Sequence, residues 1–142
     1  MKQKLDIVNR WFREVWIEGN LDTIEEIYNP APADECLHAD GTPATGEVFE
    51  LTQVLRTLVT NKTVRIIKAI EDGPWIALML EMEGADSASH RPVKMRWQTF
   101  MRIENGQIIE NHPSVNFIAL FEQLGQLPPN SFELMLAGTE LK

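Results

Sequence analysis

The sequence predicts an α+β fold in which helices lie against one face of a curved antiparallel sheet. Three observations carry this. Apolar residues recur at helical spacing as far as Val59, apolar and polar residues alternate from Thr63 onward, and an Asn-Gly pair joins two of the alternating segments. Helices first and hairpin-linked strands afterwards is the segregated order of α+β domains, whose sheet packs one face on its helices. A curved sheet covered in this way encloses a pocket.

The first helix rests on Leu5, Val8, Trp11, Phe12, Val15 and Trp16, one stripe at three- and four-residue spacing, with Gly19 placed to end it. Asn20 or Asp22 caps a second, short helix built on Leu21, Ile24, Ile27 and Tyr28, which the run Asn29-Pro30-Ala31-Pro32 stops. A short extended segment follows around Cys36 and His38, then a loop from Gly41 to Gly46, then a third helix on Val48, Leu51, Thr52, Leu55, Leu58 and Val59.

Beyond Asn61 the period changes. Thr63 to Glu71 and Trp75 to Glu83 read as neighbouring antiparallel strands joined by Asp72-Gly73-Pro74. Pro92 to Ile103 alternates most clearly, with Val93, Met95, Trp97, Thr99, Met101 and Ile103 on one face and Lys94, Arg96, Gln98 and Arg102 on the other. Asn105-Gly106 supplies the positive φ values of a tight primed turn, and Gln107 to His112 returns as the last strand. A short apolar helix from Phe117 ends at Gly125, and the tail after Pro129 carries Phe132, Leu134, Met135 and Leu136, which either dock or fray.

Composition narrows the functional classes. A chain of 142 residues, 44% of them hydrophobic, fits a single domain over residues 1–142 with an ordinary core. The net charge of -8 and the scatter of the 13 basic residues argue against nucleic acid as a partner. No apolar run is long enough to span a bilayer, and the N-terminal stretch is charged throughout rather than built like a signal peptide, so no membrane partner and a cytoplasmic location are expected. Cys36 stands alone, which excludes an internal disulfide and a cysteine zinc site and leaves a small buried thiol. The histidines His38, His90 and His112 lack the short spacing of common zinc motifs, and no phosphate loop or nucleophile elbow is present. No cofactor and no metal are therefore expected.

Several segments, taken in order, carry a resemblance: RWFREVWIEGNLDTIEEIY at the start, ECLHADG next, Gly46 before the third helix, Glu71-Asp72 before WIALMLEMEG, then TFMRIENGQIIE and FIALFEQLGQLPP. Together they resemble the SnoaL-like polyketide cyclases of the NTF2-like superfamily over nearly the whole chain. The resemblance implies an NTF2-like cone, a small-molecule pocket and a homodimer formed through the outer sheet face, near Lys94, Arg96 and Gln98. It also implies that an aspartate, counted back from the closing glycine of the last helix, acts as general acid/base in an aldol ring closure. Here that position is Asn116, and the tryptophan usual four residues earlier is His112, followed by Pro113.

These departures set the candidate site residues. Asn116 cannot exchange a proton near neutral pH, so it either caps the last helix or holds a ligand oxygen. His112 titrates in the right range and is the substitute acid/base, or else a hydrogen-bonded structural residue. Glu110, two residues earlier, shares its side of an ideal strand and either orients the imidazole, acts as a base, or is a solvated carboxylate. The resemblance places a histidine near His38, which would bond a substrate carbonyl or enolate oxygen or serve structure alone. Glu81 and Glu83 share the face of Trp75 and Met79; buried there they would be functional candidates, and if that face points outward they are solubilising charges. Trp11, Trp97, Thr99 and Met101, with Trp16, line an apolar cavity or simply form core.

Two functions remain open at this point. One is a cofactor-independent cyclase or isomerase acting on a small hydrophobic carbonyl compound, with His112, His38 or Glu110 moving protons and Asn116 holding an oxygen. The other is a non-catalytic small-molecule-binding or dimerisation module that has lost the family's aspartate.

Overall fold

The computed structural model describes residues 1–29 and 55–141. Helix α1 spans Lys2–Arg10 and runs directly into a π-helical stretch, Trp11–Ile17. The uniform α-helix expected as far as Gly19 is corrected here: Glu18 N–H reaches back five residues to the Arg13 carbonyl at 3.0 Å. From this wider turn Phe12 and Trp16 both meet Trp97, while Trp11 stacks on Tyr28. Helix α2, Leu21–Ile27, is capped by Asn20, whose side-chain oxygen accepts the Asp22 N–H at 3.1 Å.

Arg10 locks the two helices together. Its guanidinium forks onto Glu26 at 2.9 and 2.6 Å and donates through Nε to Glu14 at 2.7 Å. The Thr23 hydroxyl donates to the second Glu14 oxygen at 2.9 Å. Both carboxyls are held below the ordinary glutamate range, chiefly by these Arg10 hydrogen bonds.

Residues 55–58 are helical and correspond to the end of the expected third helix. The rest of that helix, and the extended segment with Cys36 and His38, lie outside the described residues. Strand β1, Val59–Asp72, begins earlier than the expected Thr63. Val59 belongs to the sheet rather than to the helix, because it pairs with Asp86 and is fully buried there. Strands β2, Trp75–Asp86, β3, Pro92–Glu104, and β4, Gln107–Val115, follow, all antiparallel in the order β1-β2-β3-β4. The β3–β4 turn has φ of 51° at Asn105 and 74° at Gly106, as the Asn-Gly pair predicts. Strand β4 continues past the expected His112 through Pro113 to Val115; among the described residues it is the last strand of the sheet, a position in which proline is tolerated.

Helix α3, Phe117–Gln123, starts at Asn116, and the tail contains a helix α4, Ser131–Leu136. Ser131 is buried and its hydroxyl donates to the Pro128 carbonyl at 2.6 Å, while Phe132 and Leu136 stay exposed. Where β4 ends, α3 takes over the edge of β3. The Gln123 amide accepts the Lys94 N–H and donates to the Lys94 carbonyl, both at 2.8 Å, so one side chain stands in for a missing strand residue.

The core lies between the helices and the inner face of the sheet. All six predicted inner residues of β3, Val93 through Ile103 in alternation, are buried. Trp97 stacks on Trp16 with centroids 5.1 Å apart and meets Phe12 edge-on at 5.8 Å.

The outer face holds a correction. Glu81 does share the outward side of Trp75 and Met79, yet its side chain is only 3% exposed rather than solvated. Arg65 donates to it at 3.1 Å and Arg96 at 2.7 Å, and Lys94 lies at 3.7 Å, so cations from both neighbouring strands roof the carboxylate. Hydrogen bonds from Arg96 and then Arg65 hold its pKa at about 2, and Glu83 remains exposed.

Two outcomes follow from this architecture. Gln123→Ala removes both edge bonds of Lys94 and is expected to cost about 1–2 kcal/mol in urea unfolding, while a loss indistinguishable from zero would contradict the surrogate-strand role. For Glu81 the folded pKa lies below the ordinary value near 4.5, so its contribution is fully present above that value and disappears as pH falls toward about 2. Unfolding free energies measured across that window should drop more steeply in the wild type than in Glu81→Gln; parallel curves would show that the roofed carboxylate does not govern acid stability.

Candidate functional site

The inner face gathers aromatic rings around a small polar cluster. Trp11, Trp97, Thr99 and Met101 all point to this side and are buried at 1–2% exposure, which makes them core residues first. Trp11 stacks on Tyr28 with centroids 4.4 Å apart and 17° between planes. The Thr99 hydroxyl donates to Asn111 Oδ1 at 2.5 Å, and Asn111 Nδ2 donates to the Tyr28 hydroxyl oxygen at 3.4 Å. Tyr28 is fixed where the chain leaves α2, because it bridges to Ile108 of β4 and Asn29 N–H bonds the Ile108 carbonyl at 2.9 Å.

Asn111 and Tyr28 were not among the site residues the sequence suggested. The reason is a register shift in β4. Ile103 pairs with Ile108 but Arg102 pairs with Glu110, so Ile109 is an extra residue and the strand changes face there. Alternation counted on from the buried Ile108 turns Glu110 and His112 inward; the bulge instead turns Asn111, Pro113 and Val115 inward, opposite Met101, Thr99 and Trp97. Counting back from the apolar Val115 would have found Asn111.

His112 and Glu110 consequently sit together on the outer face, as their two-residue spacing implies, beside Phe100 and Arg102. His112 Nε2 lies 3.3 Å from Glu110 Oε1, and its ring is 5.8 Å from that of Trp75. Arg102 donates to the other Glu110 oxygen at 3.2 Å and to Glu104 at 2.8 Å, and these bonds hold the Glu110 carboxyl below its ordinary range, Arg102 foremost. A base needs the opposite shift to work near neutral pH.

Asn116 is exposed and caps α3, its side-chain oxygen accepting the Ala119 N–H at 3.1 Å. His38 lies outside the described residues, so the structure brings His112 and Glu110 together on one face, and Trp11, Trp97, Thr99 and Met101 on the other, without joining the two sets. Among the described residues no three His, Cys, Asp or Glu side chains gather in a way that would hold a metal ion. No helix among them is long and apolar enough to cross a membrane. A surface groove of about 460 Å³ runs between α1, α2 and the β3–β4 turn, lined by Asp6, Arg10, Glu26 and Gln107 among others. Its cation is already committed, since Arg10 is shared between Glu14 and Glu26.

Comparison with known proteins accords with this geometry. A search of curated protein sequences finds no match. TsrD from Streptomyces laurentii superposes with a TM-score of 0.67 at 14% identity, covering 89% of this chain and 97% of TsrD. IdmH from Streptomyces antibioticus gives 0.65 at 22% identity, with 84% and 96% covered. A protein from Catenulispora acidiphila with a ketosteroid isomerase-like fold, solved in complex with trimethylamine, gives 0.61 at 19% identity, with 84% and 92% covered. At these identities the likeness establishes the NTF2-like α+β cone. The sequence pattern of one family matches residues 6–124, from the first helix to the end of α3, and the chain therefore belongs to the SnoaL-like polyketide cyclase family.

Proposed function

We propose that the chain binds a small hydrophobic carbonyl compound against the inner face of the sheet, with the carbonyl oxygen at the Asn111 amide. One observation carries this. Thr99 fixes the amide by donating to its oxygen, so both amide N–H groups are aimed away from Thr99, and Tyr28 takes one of them. The second is a positioned donor among aromatic walls, the combination by which apolar sites orient a ligand with few polar contacts. Asn111 and Tyr28 are half-buried while Thr99 is sealed, so the cluster is reached from the side of Asn111 and Tyr28.

The non-catalytic form of this reading needs nothing more. Its cyclase- or isomerase-like form needs a group that titrates near neutral pH at the ligand, and the positions of His112, Glu110 and Asn116 leave His38 as the residue to which that form commits. Tryptophan fluorescence should be quenched saturably by benzophenone, an aromatic ketone. Asn111→Ala should weaken the binding about tenfold, the ~1.4 kcal/mol of one hydrogen bond, whereas His112→Ala should leave it unchanged. Absence of saturable quenching, or equal affinity in Asn111→Ala, would remove the proposal. Loss of turnover without loss of binding in His38→Ala would favour the enzymatic form.

The outer face supports a homodimer as the second part of the proposal. Ile70, Ala77 and Phe100 form a row across the sheet, with Ile70 and Phe100 56% and 57% exposed and Met79 beside them. At one end of this band stand Arg65, Lys68, Lys94 and Arg96 against Glu81 and Glu83, and at the other Asp72, Glu104 and Glu110 against Arg102. A two-fold axis through the band would lay the basic end of each copy on the acidic end of the other. Sedimentation at micromolar concentration should give twice the 16.2 kDa chain mass, and Phe100→Asp should give the single-chain mass. A wild-type monomer would refute this part and leave the ligand proposal standing.

A further inference from the structure

Along the inner stripe of β3 the apolar side chains of Val93, Met95, Trp97, Met101 and Ile103 flank one hydroxyl, that of Thr99, which is 2% exposed. A hydroxyl sealed at this depth has to be bonded, whereas valine would fill the same space without that demand. Leu78 and Pro113 stand opposite Thr99 on the two neighbouring strands, and neither side chain offers a polar atom. The bond goes instead to the Asn111 amide, across the β3–β4 pairing.

The amide is held unequally at its two ends. Thr99 Oγ1 lies 2.5 Å from it, a separation that belongs to O–H···O bonds and is too short for an N–H···O bond, so the amide atom facing Thr99 is the oxygen. At the other end Nδ2 reaches the Tyr28 hydroxyl oxygen at 3.4 Å, longer than an ordinary N–H···O bond. The orientation of the amide is therefore set from the sealed Thr99 side, and the Tyr28 side is loose enough to surrender an N–H. Without the Thr99 hydroxyl, the bond that remains among the described residues is the long one to Tyr28. A phenol hydroxyl donates or accepts and suits either end of an amide, so it does not tell oxygen from nitrogen.

We infer that Thr99 determines which compounds the Asn111 amide accepts. By occupying the amide oxygen it leaves the amide able to donate to a ligand but not to accept from one. The site then favours a molecule that brings a ketone or ester oxygen, and discriminates against one of the same outline that brings an N–H, because that donor and the amide donor face each other unpaired. Thr99 is sealed from the ligand and acts through Asn111, which makes it a positioning residue. The inference rests on the ligand reading given above and adds to it what the site excludes and which residue is responsible.

The test compares benzophenone with two molecules of similar outline: diphenylmethane, which has neither donor nor acceptor, and diphenylamine, which brings an N–H. Affinities are measured by equilibrium dialysis for the wild type, Thr99→Val, Thr99→Ser and Asn111→Ala. The wild type should bind benzophenone about tenfold more tightly than diphenylmethane, and diphenylamine no more tightly than diphenylmethane. In Thr99→Val the benzophenone preference should fall by more than half while diphenylamine rises above diphenylmethane, and Thr99→Ser should restore the wild-type order. A threonine that served packing alone would shift the three affinities in parallel. Unchanged affinity ratios in Thr99→Val, with the benzophenone preference still lost in Asn111→Ala, would overturn this inference and leave the ligand reading standing. Diphenylamine bound by the wild type as tightly as benzophenone would also overturn it, and that comparison decides even if Thr99→Val folds poorly. Benzophenone bound no more tightly than diphenylmethane by the wild type, or equally well by Asn111→Ala, would remove the ligand reading and this inference with it.

Discussion

The seal between β3 and the first helix is the contact on which the other features depend. Six alternate side chains of β3 must be buried, and the flat Trp97 ring at their centre is covered by Trp16 at 5.1 Å and Phe12 at 5.8 Å. Rings that large cannot be accommodated by small rotamer changes in a close-packed interior, so the backbone adapts instead. The π-helical stretch from Trp11 to Ile17 is that adaptation. It also carries Trp11 onto Tyr28, and thereby sets where Tyr28 meets Asn111.

Where apolar contacts close the inner face, a polar group survives only when bonded, because an unpaired buried donor or acceptor costs about 1–3 kcal/mol. Thr99, Asn111 and Tyr28 satisfy this in sequence. Asn116, where the resemblance would place an acid/base aspartate, answers to a different demand, because it is exposed and caps α3. Asn116 keeps the capping function an aspartate would also serve, and gives up the proton. The chain therefore retains the scaffold of the family, and the polar cluster of Thr99, Asn111 and Tyr28 on its inner face is built from neutral hydrogen-bonding groups.

The outer face obeys different rules. Its charges sit in water, where isolated pairs contribute little, yet Glu81 is drawn under Arg65, Arg96 and Lys94 until almost nothing of it is exposed. Stacking the cations over the carboxylate leaves their outward sides basic, and the opposite end of the sheet acidic.

Local pattern was sufficient for much of this. The period-two stripe of β3, the Asn-Gly turn, the caps at Asn20 and Asn116 and the helices-then-strands order each depend on residues a few positions apart, so spacing alone reveals them. The bulge at Ile109 was invisible to spacing, because an extra residue in one strand is defined only by its partner. That single residue moved His112 and Glu110 to the outer face and brought Asn111 in. The burial of Glu81 was hidden for the same reason, since its three cations come from strands β1 and β3 and meet it only across the sheet. Alternation tells which residues share a face of one strand; which face they share, and with whom, is decided when the strands pair.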